Sequence, residues 1–235
     1  MIKAVLFDMD GVVIDSSPVW NRLIGKRIAA YFGPHYLQLV VNSGDHGSNI
    51  SDTWEKMASQ GFRGDKQTYL DIYKHNYREV YTTAPLALSF IDVWKKLRER
   101  GIQTGMVSNS SAEWLAALTK RLEKDGSFDI VVSLGSLPLP HKPAPDGYLY
   151  AIKNLHRAPS EVLIVEDTTL GVEAGLASGA LVVQYTEFTR NQATSDHRVV
   201  TTSSMSAIPG IIDEINRQDS FGQRPIRLWR TAGRA

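Results

Sequence analysis

Five short runs of mostly apolar or small residues, separated by stretches whose apolar residues recur at helical spacing, leave this chain few architectures. The runs are Ala4–Phe7, Gln103–Val107, Ile130–Val132, Val162–Val165 and Leu181–Val183. Runs this short and this poor in charge suit strands covered on both faces of a parallel sheet. Between them, Phe90, Val93, Trp94 and Leu97 form a helical stripe that stops at Gly101, and Trp114, Leu115, Leu118 and Leu122 form a second. Leu149, Ile152 and Leu155 make a third, opened near its first turn by Pro145. Leu170, Val172 and Leu176 belong to a fourth, and its small Gly171, Ala174, Gly175 and Ser178 allow it to lie close against a sheet. Strands alternating with helices imply crossover units, and so a doubly wound, Rossmann-like parallel α/β core.

One segment breaks the alternation. Between Ser16 and Ala84 there is no buried strand pattern, only helical spacing punctuated by glycine, clearest from Pro18 to Phe32 and from Thr68 to Tyr81. This predicts an inserted helical cap over residues 16–84, with residues 1–15 and 85–215 forming the α/β core. An insertion directly after the first strand sits over the carboxyl ends of the strands, where open α/β sheets bind ligands. Trp54, Tyr69, Tyr73 and Tyr77 fall at helical spacings and read as the core of that cap. Residues 216–235 carry Arg217, Arg224, Arg227, Arg230 and Arg234 against the single acid Asp219, and read as a partly ordered basic tail.

Composition removes several function classes. The chain of 235 residues has no cysteine, which excludes thiol nucleophiles and thiolate metal sites. Its net charge of +1 argues against a dedicated nucleic-acid surface. A strand within three residues of the N-terminus leaves no room for a signal peptide, and no apolar stretch approaches membrane-spanning length, so the expectation is a cytoplasmic protein with no membrane partner.

The polar residues that stand out follow the strands. Asp8 and Asp10 close the first run and Gly11 turns the chain; side chains two apart on an extended segment share a side, so two carboxylates aim at one small volume. Ser108 and Asn109 follow the second run, Lys142 lies on the loop after the third, and Glu166 and Asp167 follow the fourth. In a parallel sheet those ends share one edge. Like charges that close favour a cation between them or a retained proton. Carboxylate oxygens suit a hard ion such as Mg²⁺, while an ammonium, a hydroxyl and free N–H groups suit phosphate oxygens. Together they describe a phosphoryl-transfer site.

Phe7-Asp8-Met9-Asp10-Gly11-Val12, Val107-Ser108-Asn109-Ser110, Lys142-Pro143-Ala144-Pro145-Asp146 and Glu166-Asp167-Thr168-Thr169-Leu170-Gly171 occur in this order, each at a strand end. In this the chain resembles the haloacid dehalogenase superfamily, specifically its β-phosphoglucomutase-like and phosphatase-like members with a small helical cap, over nearly all of residues 1–215. The resemblance implies that Asp8 is the nucleophile, forming an aspartyl-phosphate, and that Asp10 is the general acid and base. It implies a Mg²⁺ ion held by Asp8, the Asp10 carbonyl and Asp167, with Glu166 as a ligand or just behind one. Ser108, Asn109 and Lys142 would hold the phosphoryl group.

The expected activity is a phosphatase acting on a small phosphorylated metabolite, a sugar phosphate before others, by a chain that works as a monomer. Two other readings remain open: a phosphosugar mutase, and a non-catalytic module binding a phosphorylated metabolite on the same fold. A mutase must hold a second phosphate, yet residues 33–55 contain no Lys or Arg, and Trp20 stands where the mutase pattern has a histidine. Lys74 or Arg78 could supply the missing cation. On the cap, His46 and Asn49 lie in a glycine-flanked polar loop that could touch substrate. Asp15 is expected to cap the helix that begins near Pro18.

Overall fold

The computed structural model describes residues 1–34, 50–188, 194–196 and 198–220. Among these, six parallel strands form one sheet in the order β3-β2-β1-β4-β5-β6. They are β1 (Ala4–Phe7), β2 (Gln103–Ser108), β3 (Ile130–Ser133), β4 (Val162–Glu166), β5 (Leu181–Tyr185) and β6 (Val199–Thr202). The first five coincide with the five runs. Strand β6 carried no signal because it lies at the sheet edge and only Val199 is buried, so its pattern lacks a continuous apolar stretch.

Successive β1 side chains divide between the two faces of the sheet, as the two-residue period requires. Val5 and Phe7 join the core beneath α4 (Phe90–Glu99), α5 (Ala112–Leu122) and α8 (Ile208–Ser220). Ala4 and Leu6 join the opposite core beneath α6 (Asp146–Asn154) and α7 (Thr169–Ala177). With β1 paired to β2 on one side and β4 on the other, the strand order reverses between β1 and β4. The ends of those two strands therefore flank the crevice in which a sheet of this kind receives a ligand.

The third stripe needs one correction. Leu149 is exposed, and the buried face of α6 is Gly147, Tyr148, Ala151 and Ile152, continued by Leu155. The helix thus turns Tyr148, not Leu149, toward the strand ends. Helix α8 runs through position 216, where the tail was expected to begin, and the Asn216 side chain accepts a hydrogen bond from Ile2 N at 2.6 Å.

Helices α1 (Ser17–Phe32), α2 (Ile50–Ser59) and α3 (Lys66–Thr83) form the inserted cap, around a separate core of Ile24, Ile28, Trp54, Met57, Phe62, Tyr69 and Ile72. Asp65 caps α3 by accepting from Thr68 N at 2.6 Å. The expected Asp15 cap on α1 is instead Ser16, whose hydroxyl is engaged elsewhere. Trp54 and Tyr69 lie in the cap core, with Tyr73 packed at its edge, whereas Tyr77 packs toward the α/β core and stacks on Trp114 of α5 at 6.3 Å. The two chain crossings into and out of the cap run side by side: Asp15 N donates to Pro85 O at 2.9 Å and Ala87 N to Val13 O at 3.0 Å. Arg121 of α5 fastens the exit, donating to Ala84 O at 2.6 Å. Among the described residues no helix is long and apolar enough to cross a membrane.

Candidate active site

The crevice at the β1/β4 switch holds the residues singled out at the strand ends. Asp8, Ser108, Asn109, Lys142, Glu166 and Asp167 are all buried, an arrangement a surface cluster of charges would not show. The Lys142 ammonium is the hub. It donates to Asp8 Oδ1 at 2.5 Å, to Glu166 Oε1 at 2.5 Å and to the Val107 carbonyl at 2.8 Å, so all three of its protons are used. Asn109 Oδ1 accepts from Lys142 N at 3.1 Å and ties the loop that carries Lys142 to the end of β2. A residue expected to bind phosphate thus also positions the loop that carries Lys142. The Ser108 hydroxyl accepts from Ser110 N at 3.1 Å.

Two glycines explain why the acids can come this close. Gly11 has φ +86°, and a Cβ there would stand 2.1 Å from Asp167 Oδ2. Gly171 faces Glu166, and a Cβ there would stand 2.0 Å from its carboxylate carbon. Thr168 rather than either acid caps α7, accepting from Gly171 N at 3.1 Å, which leaves Glu166 and Asp167 available for the site.

Burial pushes the Asp8 carboxyl up to about 7; the Lys142 ammonium pulls it back, and the negative charges of Glu166 and Asp10 push it further up. Asp167 is held well above the usual carboxylate range, by burial first and then by Asp8 and Glu166. Burial works against the charge of Lys142, but Asp8 and Glu166 outweigh it and keep the ammonium protonated. With all three acids ionised, the cluster would carry more negative charge than its one ammonium balances, and the raised values of Asp8 and Asp167 express that excess.

That excess fits a cation. Asp8, Glu166 and Asp167 each offer a carboxylate oxygen, all within 4.8 Å of one another. Asp167 Oδ1 is buried without a hydrogen-bond partner among the described residues, a costly state for a carboxylate oxygen unless an ion takes it up. Hard oxygen donors of this kind suit Mg²⁺. Glu166 is differently placed: Oε1 accepts from Lys142 and from the Tyr148 hydroxyl at 2.5 Å, and Oε2 accepts from Asp167 N at 3.2 Å.

Asp10 is not one of the acid trio, and its carboxylate accepts from a ring of hydroxyls. It accepts from Ser16 Oγ at 2.5 Å, from Tyr81 OH at 3.1 and 3.2 Å, and from Ser110 Oγ at 3.2 Å. Burial, then the Asp10 charge, pushes the Tyr81 phenol well above its ordinary range, so Tyr81 stays a donor. Ser16, Tyr81, Ser110 and Tyr148 were not singled out from the sequence. Ser110 sits in a quoted motif and could have been; the others are brought in only by tertiary structure. On the cap, Lys74 is exposed on α3 with no contact to the acids, and His46 and Asn49 lie outside the described residues. Trp20 packs against Trp114 and Tyr73, each at 5.1 Å.

A model of the family described as haloacid dehalogenase-like hydrolase matches residues 2–179. Phosphoglycolate phosphatase of Aquifex aeolicus is 26% identical over 186 residues, which span 76% of this chain and 82% of the relative. Fructose-1-phosphate phosphatase YqaB of Escherichia coli is 27% identical over 185 residues, which span 74% of this chain and 92% of the relative. Among solved structures, that of CbbY from Rhodobacter sphaeroides in complex with phosphate matches with a TM-score of 0.69 at 19% identity, covering 87% of this chain and 95% of the other. That likeness is one of fold.

Proposed function

The chain belongs to the haloacid dehalogenase-like hydrolase family, and on that premise we propose that it is a Mg²⁺-dependent phosphatase of small phosphorylated metabolites, sugar phosphates first among them. The observation that carries the reading is the pairing of Asp8 with Lys142 at 2.5 Å beside the unpartnered Asp167 Oδ1. A nucleophilic carboxylate, a fixed cation and a vacant hard ligand then share one buried crevice.

In this mechanism Asp8 attacks phosphorus, and an aspartyl-phosphate forms as the bond to the leaving oxygen breaks. Lys142 keeps its charge against the oxygens gathering on the phosphoryl group. Ser108 directs its hydroxyl proton to one of those oxygens, since the Ser108 oxygen already accepts from Ser110 N. Asp10, steadied by Ser16, Tyr81 and Ser110, gives a proton to the departing alkoxide. It then takes one from the water that hydrolyses the aspartyl-phosphate, returning Asp8 to its starting state. Asp8, Asp167 and the Asp10 carbonyl would hold Mg²⁺, which supplies Lewis-acid neutralisation of the phosphoryl oxygens. The cap, over residues 16–84, covers the crevice and excludes bulk water from the reaction.

Phosphatase is favoured over mutase by the state of the cap cations that could hold a second phosphate. Arg78 is turned to Tyr77, its Nε donating to the phenol at 3.1 Å, and Lys74 is exposed. The two named relatives carry substrates as unlike as a two-carbon acid phosphate and a ketohexose phosphate, so the metabolite must be found by assay. The test is phosphate release across a panel of phosphorylated metabolites, with Mg²⁺ and with chelator. Metal-dependent release from one or a few compounds is expected. Silence across the panel, with glucose 6-phosphate appearing from β-glucose 1-phosphate when a bisphosphate primer is added, would replace phosphatase by mutase.

A further inference from the structure

One partner of Glu166 has no part in the chemistry described so far. Tyr148 is the third residue of α6 and is fully buried. Its hydroxyl lies 2.5 Å from Glu166 Oε1, the same oxygen that receives Lys142. Its ring lies beside the same ammonium, 5.0 Å from Nζ to the ring centroid. A single side chain therefore touches both halves of the Lys142–Glu166 pair, the ring on the cation and the hydroxyl on the anion.

From this geometry we infer that Tyr148 is a positioning residue for the phosphoryl-transfer site: its hydroxyl commits Glu166 to serve as the counter-ion of Lys142, and so aims the ammonium at Asp8. Glu166 has two tasks open to it, because it lies close enough to Asp8 and Asp167 to share a cation with them. Its carboxylate is already engaged, by Lys142 and Tyr148 on Oε1 and by Asp167 N on Oε2, and a metal would compete with these bonds. Bonds to a charged acceptor are the stronger kind, and in a buried site they cannot be replaced by water. Packing alone does not ask for the hydroxyl. A phenylalanine would fill the same space and keep a ring face on Lys142, while a buried hydroxyl is costly unless it is used. Burial, and then the negative charge of Glu166, holds the phenol well above its ordinary range, so it acts only as a donor.

The inference rests on the proposed phosphatase reading, and the test keeps the two apart. In full-length Tyr148→Phe, kcat should fall about tenfold, the loss typical of one hydrogen bond to a buried charge, while Mg²⁺ affinity stays within about twofold. Affinity for inorganic phosphate in the presence of Mg²⁺, measured by calorimetry, should fall by a similar factor, because it reads the aim of Lys142 without any turnover. Adding Tyr148→Phe to Glu166→Ala should change kcat and phosphate affinity by less than about twofold, since Tyr148 acts through Glu166. Wild-type kcat and phosphate affinity in Tyr148→Phe would overturn the inference. So would losses of equal size with and without Glu166, or a loss explained entirely by weaker metal binding. A wild-type chain silent on every phosphorylated compound would sink the phosphatase reading, and the phosphate titration would still decide the role of Tyr148.

Discussion

Lowering the pH from 7.5 to 5.5 should weaken Mg²⁺ binding by about 25-fold through Asp8 alone. The magnitude follows from the crevice. Burial, assisted by the Glu166 and Asp10 charges and opposed by Lys142, pushes the Asp8 carboxyl up to about 7. At pH 5.5 the metal must displace a proton that at pH 7.5 is mostly gone. Asp167, also held well above the usual range, adds to the effect in the same direction. Calorimetric titration of Mg²⁺ into the metal-free protein, repeated in buffers of different ionisation heat, reads both the affinity and the protons released. Close to one proton or more should leave per ion at pH 6. An affinity constant within twofold at the two pH values, with no proton released, would refute the reasoning.

The same shift has a consequence for the metal-free fold. A carboxyl whose folded value lies above its unfolded value binds more protons folded than unfolded between the two. Its contribution to stability is therefore fully present below about 4 and is lost as pH rises through about 7. Chelator-treated protein should lose that stabilisation between about pH 4 and pH 7, and saturating Mg²⁺ should restore stability at the alkaline end.

Asp8→Asn should lower turnover by at least roughly 10³-fold while leaving the folded circular dichroism spectrum unchanged, because the amide keeps the shape and loses the nucleophile. Lys142→Met leaves Asp8 and Glu166 facing each other without their shared ammonium; it should cost about 3–5 kcal/mol, a fall of roughly 10 °C in thermal midpoint in chelator, partly recovered with Mg²⁺. Gly11→Ala forces a side chain to φ +86° and within 2.1 Å of Asp167 Oδ2, so it should cost about 1–3 kcal/mol in backbone strain alone and weaken Mg²⁺ binding in the same calorimetric titration.

The core of this fold was legible because strands covered on both faces write themselves as uninterrupted apolar runs, and five did. Strand β6 was not legible because an edge strand buries too little to leave a run; only Val199 of its four residues is buried. The acids were legible because they lie at or just past a strand end, and Lys142 because its Lys-Pro-Ala-Pro-Asp loop comes after the third run and before the next helix, so sequence order assigns them to one edge. Tyr148 was hidden by a competing pattern. Leu149, Ile152 and Leu155 satisfy helical spacing as well as the true buried set does, and apolar counting prefers a leucine to a tyrosine. The choice between them is made by Glu166 and Lys142, which reward a hydroxyl and a ring face at position 148. Similarly, Asp15 looks the better helix cap, but the cap position falls to Ser16, which gives its hydroxyl to Asp10 and makes no side-chain cap bond.

The two tyrosines at the site divide its acids by function. Tyr148 comes from the core and fixes an acid that pairs with the lysine; Tyr81 comes from the last turn of the cap helix α3 and fixes Asp10, which is not one of the acid trio. The second arrangement ties proton transfer to the cap. Ser16 and Tyr81 lie near the entrance and exit of the insertion, where the two crossings are paired by Asp15 N to Pro85 O and by Ala87 N to Val13 O. Asp8 and its lysine belong wholly to the sheet and its loops, so the nucleophile is set by the core alone. Asp10 is set by the core and the cap together. A change at the crossings that spares the sheet should therefore disturb the steps that need a proton from Asp10 more than attack by Asp8.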